Sequence, residues 1–185
     1  MVLKKRVMLL TKPIFFDTDC LSAFLWVNHQ SLLVKLYPGR IVIPVQVYTE
    51  LSYPEVFHLK ARIDTMIKNK EVQIASIATD TEEYHLYKKM VDMPDHEHVV
   101  IGNGEATAIA LAKVQGGIVA SNNLKDIQSY VSEFGLELKK TDVILKEAFD
   151  AGLITEAEGN KIWQGMLKRR RKLGYSTFTD FLKSS

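Results

Sequence analysis

Asp17 and Asp19 follow a short apolar run, Pro13 to Phe16, while Glu50, Glu105 and Asp126 stand in segments far from it and from one another. Ser121, Asn122 and Asn123 follow a second apolar triplet, Ile118 to Ala120. Carboxylates gathered from separate segments repel one another unless they bind a cation or share a proton. Hard oxygen ligands of this kind suit Mg²⁺ or Mn²⁺. Such ions polarise a phosphoryl oxygen and make hydroxide from water at neutral pH, which is the chemistry of phosphodiester hydrolysis. Taken singly, each residue also has an ordinary explanation. Asp17 or Asp19 can cap a helix, Glu105 suits the positive end of a helix dipole, and Glu50 fits a solvated helical face.

These residues matter only if the fold brings their segments together. Strand-like and helix-period segments alternate along nearly the whole chain, with no fixed-period repeat, which predicts an α/β fold with a mostly parallel central sheet. Pro13 to Asp17 reads as strand, with Leu21, Phe24 and Leu25 at helical spacing behind it and Thr18 or Asp19 placed to cap that helix. Arg40 to Ile43 is β-branched and bounded by prolines, as a short buried strand followed by a helix carrying Glu50 would be. Helices are predicted over 58–70, 82–91 and 105–115, with a strand over 72–77. Ile118 to Ala120 is a further strand, 124–134 a helix closed by Gly135, and Leu136 to Lys139 a last strand. Helices are then expected over 142–151 and 156–173, with the tail from Gly174 as an appendage. In an open parallel sheet ligands bind beyond the carboxyl ends of the strands, and Asp17, Asp19, Ser121, Asn122 and Asn123 all fall there.

The motifs, read together, resemble a known family. The run IFFDTDCLSAF is similar to the opening motif of PIN domains, small α/β nucleases, and IVIPVQVYTEL resembles their next strand and helix with its acidic residue, here Glu50. GNGEATAIALA is similar to the Gly-Glu-Ala segment of the prokaryotic, toxin-like (VapC-like) ribonuclease branch, with Glu105 as the third acid. IVASNNLKDIQSYVSEFGLEL resembles the last motif, except that Asn122 and Asn123 stand where aspartate is expected. The resemblance covers about residues 13–150 and implies a three-layer α/β/α sandwich and a metal-dependent endoribonuclease. Asp17, Glu50 and Glu105 would be its catalytic metal ligands, with Asp126 a candidate fourth one helical turn beyond the asparagines. Asp19, Ser121, Asn122 and Asn123 would support the site, the asparagines offering a neutral carbonyl oxygen in place of charge. The cofactor implied is Mg²⁺ or Mn²⁺. The partners implied are RNA, a small antitoxin-like protein and a second copy of the chain, in a toxin-antitoxin role. Loss of an aspartate also leaves open a degenerate domain that binds RNA or protein without cleaving.

Other signals compete. Asp17-Thr18-Asp19 also reads as the DxD opening of haloacid-dehalogenase-like phosphohydrolases, although no apolar strand ending in paired acids follows. Asp95-His96-Glu97-His98 is better read as a solvated loop than a zinc site, because no other His or Cys has helpful spacing. His29, His58 and His85 lack a nucleophile partner, and Cys20 reads as a small buried hydrophobe. Lys168, Arg169, Arg170, Arg171 and Lys172 are candidate nucleic-acid contacts, although on one continuous helix they would wind around all sides. Ile162, Trp163, Met166 and Leu167 on the same helix suggest core or a dimer interface.

Composition bounds these readings without choosing among them. With 185 residues, 46% of them hydrophobic, and 24 basic against 22 acidic side chains, the chain has the makeup of one soluble domain. Residues 1–12 form an N-terminal extension, 13–150 the nuclease-like domain and 151–185 a helical extension carrying the basic segment. One cysteine excludes an internal disulfide. The apolar runs fall short of the ~20 residues a spanning helix requires, and Lys12 and Pro13 interrupt the single run that follows basic residues. A cytoplasmic protein without membrane association is expected.

Overall fold

The computed structural model describes residues 12–92 and 98–184. Five short strands form its sheet: β1 (Ile14–Phe16), β2 (Ile41–Pro44), β3 (Gln73–Ala75), β4 (Ile118–Ala120) and β5 (Glu137–Lys139). Their order is β3-β2-β1-β4-β5 and every pairing is parallel. Parallel neighbours require crossovers, and each strand is followed by at least one helix, as the alternating sequence pattern predicts. β1 is central. The chain moves outward from it through β2 to β3 and then returns to its other side with β4, so the connections diverge between β1 and β4. At such a switch point the carboxyl ends of the strands leave a crevice.

Alternation along the strands builds two apolar layers. Ile14 and Phe16 face one side with Ile41, Ile43, Ile118 and Ala120, whereas Phe15, Val42 and Val119 face the other. The first side is covered by α1 (Thr18–Trp26), α2 (Gln30–Leu36), α3 (Val45–Glu50) and α4 (Phe57–Lys68). The opposite side is covered by α5 (Glu82–Val91), α6 (Asn103–Gln115) and α7 (Leu124–Phe134). Ala106, Ala108, Ala110 and Ala112 of α6 are fully buried, and their small side chains let this helix lie close against the sheet. Ile14, Phe15 and Phe16 are also inaccessible, each contributing roughly 1.5–3 kcal/mol of burial to holding the strand that ends in Asp17.

Three helices complete the first side: α8 (Thr141–Asp150), α9 (Glu156–Lys168) and α10 (Phe178–Ser184). The apolar stripe of α9 is core, with Ile162, Trp163 and Met166 buried. The tail expected as an appendage is instead anchored: Phe178 is inaccessible, packs edge-on to Phe149 and lies 5.8 Å from the Trp163 ring. Its alternation of polar and aromatic residues is too short for periodicity to register, and the facing surfaces of α8 and α9 hold it in place. α9 also ends earlier than expected, at Lys168 rather than Leu173. The amides of Arg170 and Arg171 turn back to the carbonyls of Leu167 and Met166, closing the helix end. Among the described residues, no helix is long and apolar enough to cross a membrane.

Candidate active site

Asp17 is the residue immediately after β1, and its backbone amide donates to the Ala120 carbonyl at the end of β4 at 2.9 Å. It therefore stands at the switch point itself. It also caps α1, a role the sequence left open among Asp17, Thr18 and Asp19: its extended backbone lets Oδ1 accept from the Cys20 amide at 2.7 Å. The other oxygen, Oδ2, is buried and accepts no hydrogen bond among the described residues. The Asp17 carboxyl is raised to about 7, chiefly by burial, with the Ser121 hydroxyl and the Cys20 amide opposing the rise and Asp19 and Glu105 adding to it.

Glu50 is the last residue of α3 and points to the same crevice. Thr18 donates to its Oε2 and the Gly104 amide to its Oε1 at 3.2 Å. Gly104 is glycine for a steric reason. A Cβ there would lie 2.9 Å from Thr18 Oγ1, 3.1 Å from Val47 Cγ2 and 3.2 Å from Glu50 Oε2, so a side chain would push the carboxylate from its amide. Glu105 sits in the first turn of α6, where its Oε2 accepts from the Gly102 amide at 3.2 Å, half of a capping box. Burial raises its carboxyl, opposed by the Asn123 amide and the Gly102 amide, with Asp126 and Glu50 adding to the rise.

The asparagines face the acids with nitrogen rather than oxygen. Asn123 Nδ2 donates to Glu105 Oε1 at 2.7 Å and to Asp126 Oδ2 at 2.8 Å. Asn122 Oδ1 is taken by the Thr141 amide at the start of α8 at 2.9 Å, which turns its Nδ2 toward Asp19 at 3.3 Å. The carbonyl oxygens expected to stand in for a carboxylate are thus not the groups that Asn122 and Asn123 present to their acidic neighbours. Ser121 is buried and accepts from the Asn123 amide at 3.2 Å.

Two adjoining cavities result. One, of about 300 Å³, is lined by Asp17, Asp19, Glu50 and Glu105 with Thr18 and Arg171. The other, of about 400 Å³, is lined by Asp19, Glu105, Asn122, Asn123 and Asp126 together with Arg170, Arg171 and Lys172. Asp17, Asp19, Glu50, Glu105 and Asp126, the acidic site residues expected from the sequence, thus line these two adjoining cavities. They are nevertheless held apart by internal donors, and among the described residues no three His, Cys, Asp or Glu side chains converge closely enough to hold a metal ion. The donor type fits a hard divalent cation, and Asp17 Oδ2 is a buried carboxylate oxygen still lacking a partner.

Of the five consecutive basic residues, Arg171 reaches the acids. It lies 2.9 Å from Asp19 Oδ1. Arg169 instead covers the Trp26 ring, 5.0 Å from its centroid. Ser22, Gly104 and Thr141 also contribute to the cleft's bonding without having been singled out in the sequence, and Thr18, expected there only as a helix cap, donates to Glu50. The Gly-Asn-Gly run before Glu105 was a visible signal for Gly104, whereas nothing local marks the others. Cys20 is buried, and burial and Asp17 push its thiol well up. His98 stacks on Tyr130 and lies 2.9 Å from Glu133; Asp95, His96 and Glu97 lie outside the described residues.

Fold and cleft together define an α/β protein whose carboxylates converge on the switch point of an all-parallel sheet. The chain belongs to the PIN domain family, whose profile matches residues 13–184. Among solved structures it is similar to a chain of the VapBC2 complex from Rickettsia felis, described as bound to a DNA fragment from their promoter. The identity is 17% and the TM-score 0.49, over 69% of this chain and 97% of that one. No curated protein sequence matches. Family membership bears out the resemblance carried by the four motifs, and the phosphohydrolase reading of Asp17-Thr18-Asp19 is set aside.

Proposed function

We propose that this chain is a cytoplasmic endoribonuclease of the PIN type that hydrolyses RNA phosphodiester bonds with Mg²⁺ or Mn²⁺. The observation that carries the reading is Asp17 Oδ2, a buried, unpartnered carboxylate oxygen beside a cleft lined by acids from two further crossovers. Asp17, Glu50, Glu105 and Asp126 would hold the ion, with Asp19, Ser121, Asn122 and Asn123 as supporting residues. When bound, such an ion polarises a phosphoryl oxygen and supplies a nucleophilic water for in-line attack. The chain's own part is to bury Asp17 and fix it by the Cys20 amide, and to orient Glu50 and Glu105 in the cleft through the Gly104 and Asn123 donors. The basic residues 168–172 would meet the RNA backbone. Family membership supports a small antitoxin-like protein as partner, and a homodimer is the proposed free form.

The test is incubation with structured and unstructured RNA in Mn²⁺ and in EDTA, beside Asp17→Asn. Cleavage should require the metal and disappear in the variant, and cleavage that persists in the variant would mark contamination. A second reading, a PIN domain that binds RNA or protein without cleaving, is favoured by the asparagine nitrogens that face Glu105, Asp126 and Asp19. Absence of cleavage by the unmodified chain in Mn²⁺, with RNA binding retained, would select it.

A further inference from the structure

We infer that Arg171 is the phosphate-holding residue of the cleft, fixing a backbone phosphate of a single-stranded nucleic acid opposite the carboxylates. The inference rests on the nucleic-acid reading of the cleft and adds to it a specific residue with a specific geometry. α9 closes at Arg169, and Arg170 then adopts a left-handed backbone with φ of 58°. That position in a helix-ending turn ordinarily takes glycine, because a Cβ is disfavoured there. A bulky residue held in this conformation is a local cost that the surrounding structure must offset, and such positions gather at functional sites. Its consequence here is directional. The side chain that follows Arg170 is half-buried and lines both cavities, whereas Arg170 and Lys172 border the second one and stay exposed, as do Lys168 and Arg169.

The guanidinium is fixed by three contacts. Nε donates to the Arg169 carbonyl at 3.1 Å, and Nη1 donates to Asp19 Oδ1 at 2.9 Å and to Ser22 Oγ at 3.3 Å. Among the described residues, Nη2 makes no hydrogen bond. A guanidinium carries five N–H donors in a rigid plane, so this arrangement leaves the two on Nη2 oriented and unspent. Arg171 lines both cavities, and Asp17 lines the first of them with it. A phosphate bound in this cavity would meet the free guanidinium donors close to the cation-binding oxygens, and an oriented fork suits phosphate oxygens better than a mobile ammonium. Asp19 acts in this arrangement as the anchor of Arg171.

The experiment measures binding separately from cleavage. Fluorescence anisotropy of a labelled single-stranded RNA is followed in EDTA at several salt concentrations for the full chain, Arg171→Gln, Arg171→Lys and Lys161→Gln, an exposed charge loss on α9. Arg171→Gln should weaken binding about tenfold and lower the slope of log affinity against log salt by about one. Arg171→Lys should recover the slope but only part of the affinity, and Lys161→Gln should stay within about twofold of the unmodified chain. Unchanged or tighter RNA binding by Arg171→Gln overturns the inference. Tighter Mn²⁺ binding by that variant with unaltered RNA affinity identifies Arg171 instead as a plug of the acidic cleft, which also overturns it. Thermal melting of each variant checks that the fold is retained. If the unmodified chain binds RNA through Arg171 but does not cleave it, the nuclease reading fails and this inference stands. If it cleaves RNA and Arg171→Gln alters neither affinity nor KM, the reverse holds.

Discussion

Asn123 Nδ2 donates to Glu105 Oε1 at 2.7 Å, and the same nitrogen reaches Asp126 Oδ2 at 2.8 Å. A neutral side chain thus does for these two carboxylates what a cation would otherwise do, separating and satisfying them. Asn123→Asp replaces the donor by a third negative charge. In divalent-free buffer at neutral pH it should destabilise the chain by about 1–3 kcal/mol, because two partly buried acceptors lose their partner. The same change should tighten Mn²⁺ binding, measured by titration calorimetry. A variant with undiminished stability and unaltered Mn²⁺ affinity would remove Asn123 from the account of the cleft.

Asp17 makes stability depend on pH in a sense opposite to most carboxylates. The folded chain keeps a proton on Asp17 up to about pH 7, whereas the ordinary value is 3.8. Without divalent ions, stability is therefore fully present below that ordinary value and is lost as pH rises through about 7, by about 1.4 kcal/mol per pH unit at most. Glu105, raised in the same direction, adds to the trend. Asp17→Asn retains a side chain able to cap α1 and should flatten the dependence and unfold later than the unmodified chain at pH 8. Urea unfolding at pH 5 and pH 8 measures both, and equal pH slopes for the two proteins would contradict the buried, unpartnered carboxylate.

Gly104→Ala tests the seat of Glu50. The added Cβ, 2.9 Å from Thr18 Oγ1, must displace Thr18 or shift α6 against Val47 and Glu50. A loss of about 1–3 kcal/mol is expected from overpacking, with weaker Mn²⁺ binding. Gly116→Ala is the comparison, since it strains a left-handed turn with nothing within 4 Å and should leave metal affinity intact.

The C-terminal helices are predicted to be inseparable from the nuclease-like part. Phe178 packs on Phe149 and Trp163 and leaves no space for a side chain at Gly159, where a Cβ would lie 2.2 Å from the ring. Phe178→Ala should cost about 3–5 kcal/mol in denaturant unfolding. A chain ending at residue 150, the boundary expected from the sequence, should melt well below the full chain. Independent melting of the two parts would restore that boundary as a domain division.

Much of the fold was legible because its signals are local. The strand at 118–120 and the helices at 82–91 and 124–134 follow from apolar runs, helical spacing and the glycine after Phe134, all within a few residues. The switch point follows from strand order, which the sequence does not state, but polar residues just beyond the strands already marked Asp17 and Ser121. The end of α9 and the burial of α10 were not legible. One depends on backbone amides closing a helix, and the other on the side chains of Phe149 and Trp163, which belong to two other helices.

The sequence by itself determined the inventory: which acids follow strands, that their oxygens are hard ligands, that asparagine stands where a carboxylate was expected, and that five basic residues run together near the C-terminus. Tertiary structure decided what those groups do to one another. It left one Asp17 oxygen dry and unpartnered and turned the asparagine nitrogens rather than oxygens toward the acids. It also brought Arg171 across 152 positions to Asp19. The division is physical. Propensity and periodicity act over one or two turns of chain, whereas desolvation, hydrogen-bond direction and charge pairing depend on which surfaces meet.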